Sequence, residues 1–361
     1  MSLKWPPILV LALVLGVAGC TLPGVGTKAG GAPGRVTLRL ANTNSDLFAF
    51  YPAAAEFIRR VATLSGGQIQ IQVIDQVGSF AGDNEVQVVR AVASGSVDLG
   101  LTGSRVFDSM GVSSFRALSA PMLIDSYPLE KAVIESSLPG QMLGELQKVH
   151  VTGLGVFADG LRMPVGVHRP LRALQDWQGI SFGTFRSKTQ EMAIQALGAS
   201  FVEASGALRV HDLDSGQMQG FEFDLRHYSQ QNLSHMAPYI TANEILWPQV
   251  DVLVANPGRL ASLSSQQRTW LGDAAADAAR DSVGLVSQDG TYIRQVCAAG
   301  TRFAHASQAD LTAMQTVFRS VYAKLERDPQ TRSFIQQLQL LKSSTPAGPP
   351  LVIPAVCSFG G

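Results

Sequence analysis

The apolar positions of this chain change period in a regular order. Val36 to Ala41 alternates as a half-buried strand does, and Asn42-Thr43-Asn44-Ser45-Asp46 breaks it with turn formers. Helical spacing follows from Tyr51 to Leu64, with Ala54, Phe57, Ile58, Val61 and Leu64 on one face. Gly66-Gly67 ends that helix, and Gln68 to Ile74 alternates again. Asp83 is placed to cap a helix with Val86, Val89 and Val92 on one side, ended by Ser94-Gly95 before a strand from Val97 to Thr102. Strand, helix, strand, helix, strand predicts a parallel or mixed sheet covered by helices.

A second unit follows the same order. Phe157 to Lys188 reads as two short strands joined by a loop and a turn. The first runs around Val165 to Val167 and the second from Ile180 to Phe185. A helix from Thr189 to Leu197, Phe201-Val202-Glu203 and a Ser215-Gly216 helix ending before Gly220-Phe221 complete an α/β unit from Gly160 to Leu225. Ile245 to Ala255 then reads as a strand crossing back. Helices are predicted over 264–287, 290–298, 308–327 and 330–341, before a proline-containing tail. Two such units side by side leave a cleft at the carboxyl ends of their strands, where open α/β sheets take ligands.

At 361 residues, two domains are the default. Lys plus Arg and Asp plus Glu are both 28, and this balance argues against a nucleic-acid partner, which requires a basic surface. The apolar run Ile8 to Val17 is too short to span a bilayer, and it leads into Val17-Ala18-Gly19-Cys20. That ending resembles a bacterial lipobox. It predicts a signal peptide over 1–19 and lipidation of Cys20, with the lipid bilayer as a partner and an extracytoplasmic location; a plain secretory signal is the alternative. Residues 20–35 read as a flexible Gly/Pro-rich tether. Cys297 and Cys357 remain as an even pair in an oxidising compartment, either bridged or two free thiols, with the bridge favoured.

Catalytic signatures are missing. The six histidines are scattered, with none at metal-ligand spacing, and there is no nucleophile elbow, Walker loop or dinucleotide fingerprint. The sequence therefore predicts no enzyme, no cofactor and no metal site. Strand ends carry polar and aromatic groups instead: Asn42 and Asn44 after the first strand, and Ser104 and Arg105 after the third. Glu222, Phe223 and Asp224 follow Gly220, and Trp247 lies on the crossing strand. Each also fits an ordinary role as turn former, salt-bridge partner or core residue. Arg162 and Arg186 flank the two short strands of the Phe157–Lys188 stretch; their guanidiniums match a carboxylate, although surface arginines are the ordinary reading.

These residues carry a family resemblance over about 36–328. Leu38-Arg39-Leu40-Ala41-Asn42, Gly78-Ser79-Phe80-Ala81-Gly82-Asp83 and Ala93-Ser94-Gly95-Ser96-Val97-Asp98-Leu99 bear it in the first half. Gly160-Leu161-Arg162, Leu174-Gln175-Asp176-Trp177-Gln178-Gly179-Ile180, Ala196-Leu197-Gly198-Ala199 and Gly216-Gln217-Met218-Gln219-Gly220-Phe221-Glu222 continue it. The chain resembles the DctP solute receptors of TRAP (tripartite ATP-independent periplasmic) transporters. The resemblance implies an α/β, two-domain periplasmic-binding-protein-like fold of type II, with a cleft and a long connecting helix. Domain I takes 36–156 plus about 244–285, domain II takes 157–243, and 286–361 forms C-terminal helices and tail. It also implies capture of a small organic solute, acidic or aromatic, and delivery to TRAP membrane subunits. A sensing or scaffolding lipoprotein acting on a partner protein is the other reading. Arg162 matches one arginine of the family. The family's strand arginine is replaced by Gly183, with Arg186 three residues on, and its asparagine by Phe223. Arg162 is thus the expected anchor, Arg186 and Glu222 orienting groups, Asn44 and Ser104 hydrogen-bond partners, and Phe223 and Trp247 apolar walls. Gly183 is expected to leave room for a bulkier solute.

Overall fold

The structure, a computed structural model, describes residues 34–78, 82–204 and 206–360. The expected signal peptide, Cys20 and most of the tether lie outside the described residues. Among the described residues, no helix is long and apolar enough to cross a membrane.

Ten strands form one sheet. They are β1 (Val36–Ala41), β2 (Ile69–Ile74), β3 (Leu99–Gly103), β4 (Thr152–Gly166), β5 (Ser181–Thr184), β6 (Ser200–Glu203), β7 (Gly220–Phe223), β8 (Tyr239–Thr241), β9 (Trp247–Ala255) and β10 (Arg302–Ala304). The main order is β2-β1-β3-β9-β4-β7-β5-β6, with β8 joining β4 to β10. β1 lies parallel between β2 and β3, as the first strand–helix repeat requires, and β5 lies parallel between β6 and β7, as the second requires. The two halves meet along β4 and β9, which pair antiparallel.

β4 differs from the sequence expectation. The short strand read around Val165 is the end of a 15-residue strand. Its first two thirds pair with β9 and its last four residues with β7. Gly153, Gly155, Gly160 and Gly166 supply no apolar side chain, and register shifts at Gly153/Gly155 and Ala158/Gly160 break the alternation. Period two was therefore invisible there.

Helix packing follows the predicted faces. Phe57 and Val61 of the Pro52–Leu64 helix meet Leu271, Ala274 and Ala278 of the 22-residue Ser265–Val286 helix, with Leu38, Leu40 and Leu101 beneath. The small alanines let the two helices approach, and Arg60 ties them through Asp277 (3.2 Å) and Asp281 (2.9 Å). Ser264 caps the long helix, with Gln267 completing a capping box. A second core gathers Phe221, Phe223, Tyr228, Ile240 and Phe303 under the β4–β7 end.

Cys297, at the end of the Asp289–Ala298 helix, is bonded to Cys357, 60 positions later, with Cα atoms 5.6 Å apart. Closing a loop of that length removes unfolded-state entropy worth up to about 4 kcal/mol. Replacing both with Ser is expected to lower the melting temperature by on the order of 10 °C, read by calorimetry on oxidised protein. A shift within error would show that the bridge carries no stability.

Candidate functional site

A cavity of about 180 Å³ lies where the two halves meet. Asn44, Phe50, Tyr51, Glu85, Arg105 and Gln249 line it from the first half and β9. Asp159, Arg162, Phe185, Arg209, Phe223 and His227 line it from the second.

A bulge in β4 sets the geometry. Ala158 pairs with Val250 and Gly160 with Gln249, leaving Asp159 as the extra residue. Asp159 and Arg162 are three apart and would face opposite ways on a regular strand. The extra residue brings both to the cavity. Gly160 has φ +116°, and a Cβ there would stand 2.9 Å from Asp224 Cβ, so only glycine fits.

Three arginines converge at the cavity. Arg162 is 3% exposed; its Nε lies 3.5 Å from Glu222 Oε2 and 3.6 Å from Asp224 Oδ2, and its guanidinium stands 4.9 Å from the Phe223 ring centre. Among the described residues, its Nη1 has no hydrogen-bond partner. Arg209, on the Gly206–Asp214 helix, is 2% exposed and lies 4.3 Å from the Phe223 ring and 5.4 Å from that of Phe185. It donates to Gln231 at 3.1 Å. Burial, then the charges of Arg162 and Arg105, pull its pKa down to about 9. Arg105 pairs with Glu85 at 2.7 Å, donates to Gln249, and lies 3.9 Å from the Phe185 ring. The rings of Phe185 and Phe223 are thus each shared by two guanidiniums, an attraction worth about 0.5–2 kcal/mol per contact. It does not remove the repulsion among the three charges.

Carboxylates and a histidine stand behind them. Asp224 caps the Leu225–Gln230 helix and accepts from His227 Nδ1 at 2.7 Å. Burial pushes the Asp224 carboxyl up, but the neighbouring His227 and Arg162 outweigh it and hold the group below the usual range. Burial pulls His227 down to about 4, so the ring is neutral at pH 7. Asp159 pairs with Arg226; burial and the charge of Asp251 raise its carboxyl well above normal. Asp251 accepts from Gln249 at 2.9 Å, and burial lifts it to about 6. The halves touch at this level. Arg226 Nη1 donates to Phe50 O at 2.8 Å, Gln230 to Ala49 O at 3.1 Å, and the Thr189 amide to Asp108 Oδ2 at 3.1 Å.

Of the residues singled out in the sequence, the cavity gathers Asn44, Arg162 and Phe223. Asn44 donates to Tyr51 Oη at 2.8 Å. Glu222 stands behind Arg162, where the Thr184 hydroxyl donates to it at 3.1 Å. The others lie elsewhere. Arg186 is half-exposed and pairs with Glu203 at 2.8 Å, because the turn after β5 carries it to the rim. Ser104 is buried, with its backbone N–H given to Val250 O at 2.7 Å. Trp247 pairs with Arg162 in the ladder and buries its indole in the main core. Gly183 faces away from the cavity: a Cβ would meet Met218 at 2.6 Å and Ala204 at 3.0 Å. It gives the solute no room, and an arginine would not fit.

Arg209, Phe185, Asp159, His227 and Gln249 line the cavity without being sequence candidates for it, and Arg105 stands out in the sequence only as the neighbour of Ser104. Arg209 left no signal of its own in the sequence. Leu208 and Val210 on either side are 38% and 43% exposed while the arginine is buried, the reverse of an ordinary amphipathic helix. Among the described residues, no cluster of three or more His, Cys, Asp or Glu is placed to hold a metal ion.

Comparison with known proteins agrees with this architecture. The family described as bacterial extracellular solute-binding protein, family 7 (DctP), matches residues 40–328. A curated solute-binding protein of Roseobacter denitrificans is 22% identical over 254 residues, 70% of this chain and 75% of that protein. Among solved structures, a TRAP periplasmic solute-binding protein of Ralstonia eutropha, with bound (S)-2-acetolactate, superposes with a TM-score of 0.76 at 19% identity. It covers 85% of this chain and 99% of its own. The sugar-acid-binding protein of Advenella mimigardefordensis, in complex with galactonate, gives 0.77 at 16% identity over 87% of this chain and 100% of its own.

Two predictions follow from the site. Gly160→Ala forces a Cβ against Asp224 in a backbone region that L-residues avoid, with an expected stability loss of about 1–3 kcal/mol. Urea denaturation reads it, and a change under 0.5 kcal/mol would remove the bulge's special role. The second concerns pH. Native Asp251 keeps a proton between 3.8 and about 6 that the unfolded chain releases, so its contribution to stability falls as pH rises through that window. Native His227 is neutral between about 4 and 6.5 where the unfolded chain gains a proton, so its contribution falls as pH drops. The melting temperature of Asp251→Asn minus wild type should therefore grow more positive from pH 4.5 to 7.5, and that of His227→Gln more positive from 7.5 to 4.5. Parallel pH profiles would refute both assignments.

Proposed function

We propose that this chain, which belongs to the bacterial extracellular solute-binding protein family 7, captures a small anionic organic solute between its two halves and hands it to TRAP membrane subunits. The observation that carries the reading is the meeting of Arg105, Arg162 and Arg209 around one small cavity. Three buried guanidiniums repel one another, and a carboxylate among them relieves that repulsion while offering planar bidentate geometry. Phe50, Phe185 and Phe223 provide faces for a carbon skeleton. About 180 Å³ suits a compact acid of roughly three to six carbons better than a large aromatic. The acetolactate and galactonate bound to the two solved structures support an organic acid.

On this reading 36–156 with about 244–285 forms one closing lobe and 157–243 the other. Cys20 carries the lipid that tethers the receptor outside the cytoplasm, and no chemical step is performed on the solute. Arg162 anchors the carboxylate, held at the correct depth by Glu222 and Asp224. Arg209 supplies the second cation from a helix, where β5 carries glycine.

A thermal-shift screen with galactonate, glucuronate, acetolactate and lactate tests the proposal. An acid present at 100 times its Kd stabilises by about 2.7 kcal/mol, a rise of several degrees. Arg162→Ala and Arg209→Ala should each weaken binding of that acid by at least about 100-fold, the loss expected for a buried charge-assisted pair. Equal binding of a neutral sugar of the same size, or unchanged affinity in both variants, would overturn the reading.

A further inference from the structure

The chain beyond the last helix crosses from one half of the molecule to the other. We infer that residues 345–357 act as a disulfide-tethered strap that limits how far the two sides of the cavity separate. Separation of the two sides would uncover the cavity's inner wall. The cavity's arginines are buried, and Arg226, Gln230 and Thr189 close contacts between the halves.

The strap is fixed at both ends. Its near end follows the Pro329–Ser344 helix, where Lys342 donates to the carbonyls of Met122 and Leu123, both at 2.9 Å, and pairs with Asp125 at 2.6 Å. Gly348 then lies flat on the start of the Tyr127–Glu135 helix, where a Cβ would stand 3.1 Å from Ser126 and 3.3 Å from Pro128. All these partners belong to the first half. The far end belongs to the second. Leu351 and Ile353 pack against the core under β7, Cys357 is bonded to Cys297, and the Phe359 amide donates to Phe303 O of β10 at 2.7 Å.

Between these anchors the strap is stiff and holds no backbone ladder. Pro346, Pro349, Pro350 and Pro354 fix φ at four positions, so the segment cannot coil up slack and pay it out as the halves move. Among the described residues, 346–353 make no backbone hydrogen bond, and Val352 is 85% exposed. Beneath the strap is a separate cavity of about 900 Å³, floored by Leu161 and Met163 of β4. These alternate with Arg162, so the strap spans the back of the strand whose front carries the anchor. A segment that bridges a gap transmits force through its ends. Its length, and the bond that closes it, set the reach.

A tail that only staples the fold would also lose stability when cut, so the test reads opening directly. Amide exchange of Thr189, whose N–H reaches Asp108 across the halves, is followed without any solute, which keeps the outcome independent of the receptor reading. Two full-length variants are compared with wild type under conditions where all are folded: Cys297→Ser with Cys357→Ser, and a Gly-Ser-Gly-Ser insertion between Pro349 and Pro350 that keeps the disulfide. Both should speed exchange at Thr189 by at least about tenfold while the Pro52–Leu64 helix keeps its rate. Wild-type exchange at Thr189 in the insertion variant overturns the strap, as does acceleration confined to 289–304 and 345–359. Should the serine pair fail to fold, the insertion decides alone.

Discussion

The extra residue in β4 is the constraint on which the site depends. β4 is the strand through which both halves of the sheet pass, and its side chains must alternate between the cavity and the packing behind it. One inserted residue at Asp159 changes that phase. Past the insertion, Arg162 faces the cavity beside Asp159 while Leu161 and Met163 face the opposite side. Gly160 makes the insertion affordable, since its positive φ and bare Cα accommodate Asp224 at close range. Asp224 in turn holds Arg162, caps a helix and fixes His227. Removing the bulge would uncouple all of these.

Charge is the second constraint. Burying a cation is costly unless it is paired, and here Arg105 has Glu85 and Arg226 has Asp159, whereas Arg162 shares two carboxylates at 3.5 and 3.6 Å, beyond good hydrogen-bond length. Arg209 has no carboxylate within salt-bridge reach among the described residues and rests on aromatic faces. Glu222, Asp159 and Asp251 are themselves pushed toward neutrality by burial, whereas Asp224 stays below the usual carboxylate range. A site in this state is poised for an anion, because a ligand charge replaces compensation that the protein withholds.

Particular elements show what could be read in advance. β1 and the Pro52–Leu64, Asn84–Ala93 and Ser265–Val286 helices fall within two residues of where periodicity puts them, because each buries one continuous face, although Asp83 stands at the start of its helix without a side-chain capping bond. β4 was read short because its glycines and two bulges erase the pattern. In the site, Asn44 and Phe223 were legible as polar and aromatic groups at strand ends, and Arg162 as an arginine ahead of the Val165–Val167 run that matches one of the family. Arg186 and Gly183 were misplaced, because sequence offset does not reveal which face of β5 a residue takes once the strand ends at Thr184. Arg209 lies on a short helix whose apolar pattern is inverted, and it reads as an ordinary solvated arginine until tertiary contacts bury it.

The sequence by itself determined the two strand–helix repeats with their parallel or mixed pairing, the C-terminal helices, the family resemblance and the absence of familiar catalytic motifs. The repeats and helices rest on local periodicity and turn chemistry, which act over a few residues, and the family resemblance rests on short motifs such as Gly160-Leu161-Arg162 and their order along the chain. Tertiary structure alone decided which charges meet. Arg105, Arg162 and Arg209 are separated by 57 and 47 positions, and nothing local says that they share two phenylalanine rings. It also decided the route by which the chain between Cys297 and Cys357, a pair the sequence already favoured as bridged, crosses the back of the molecule. Contacts of that range depend on how whole halves pack and on where one strand shifts phase, and a linear pattern carries no record of either.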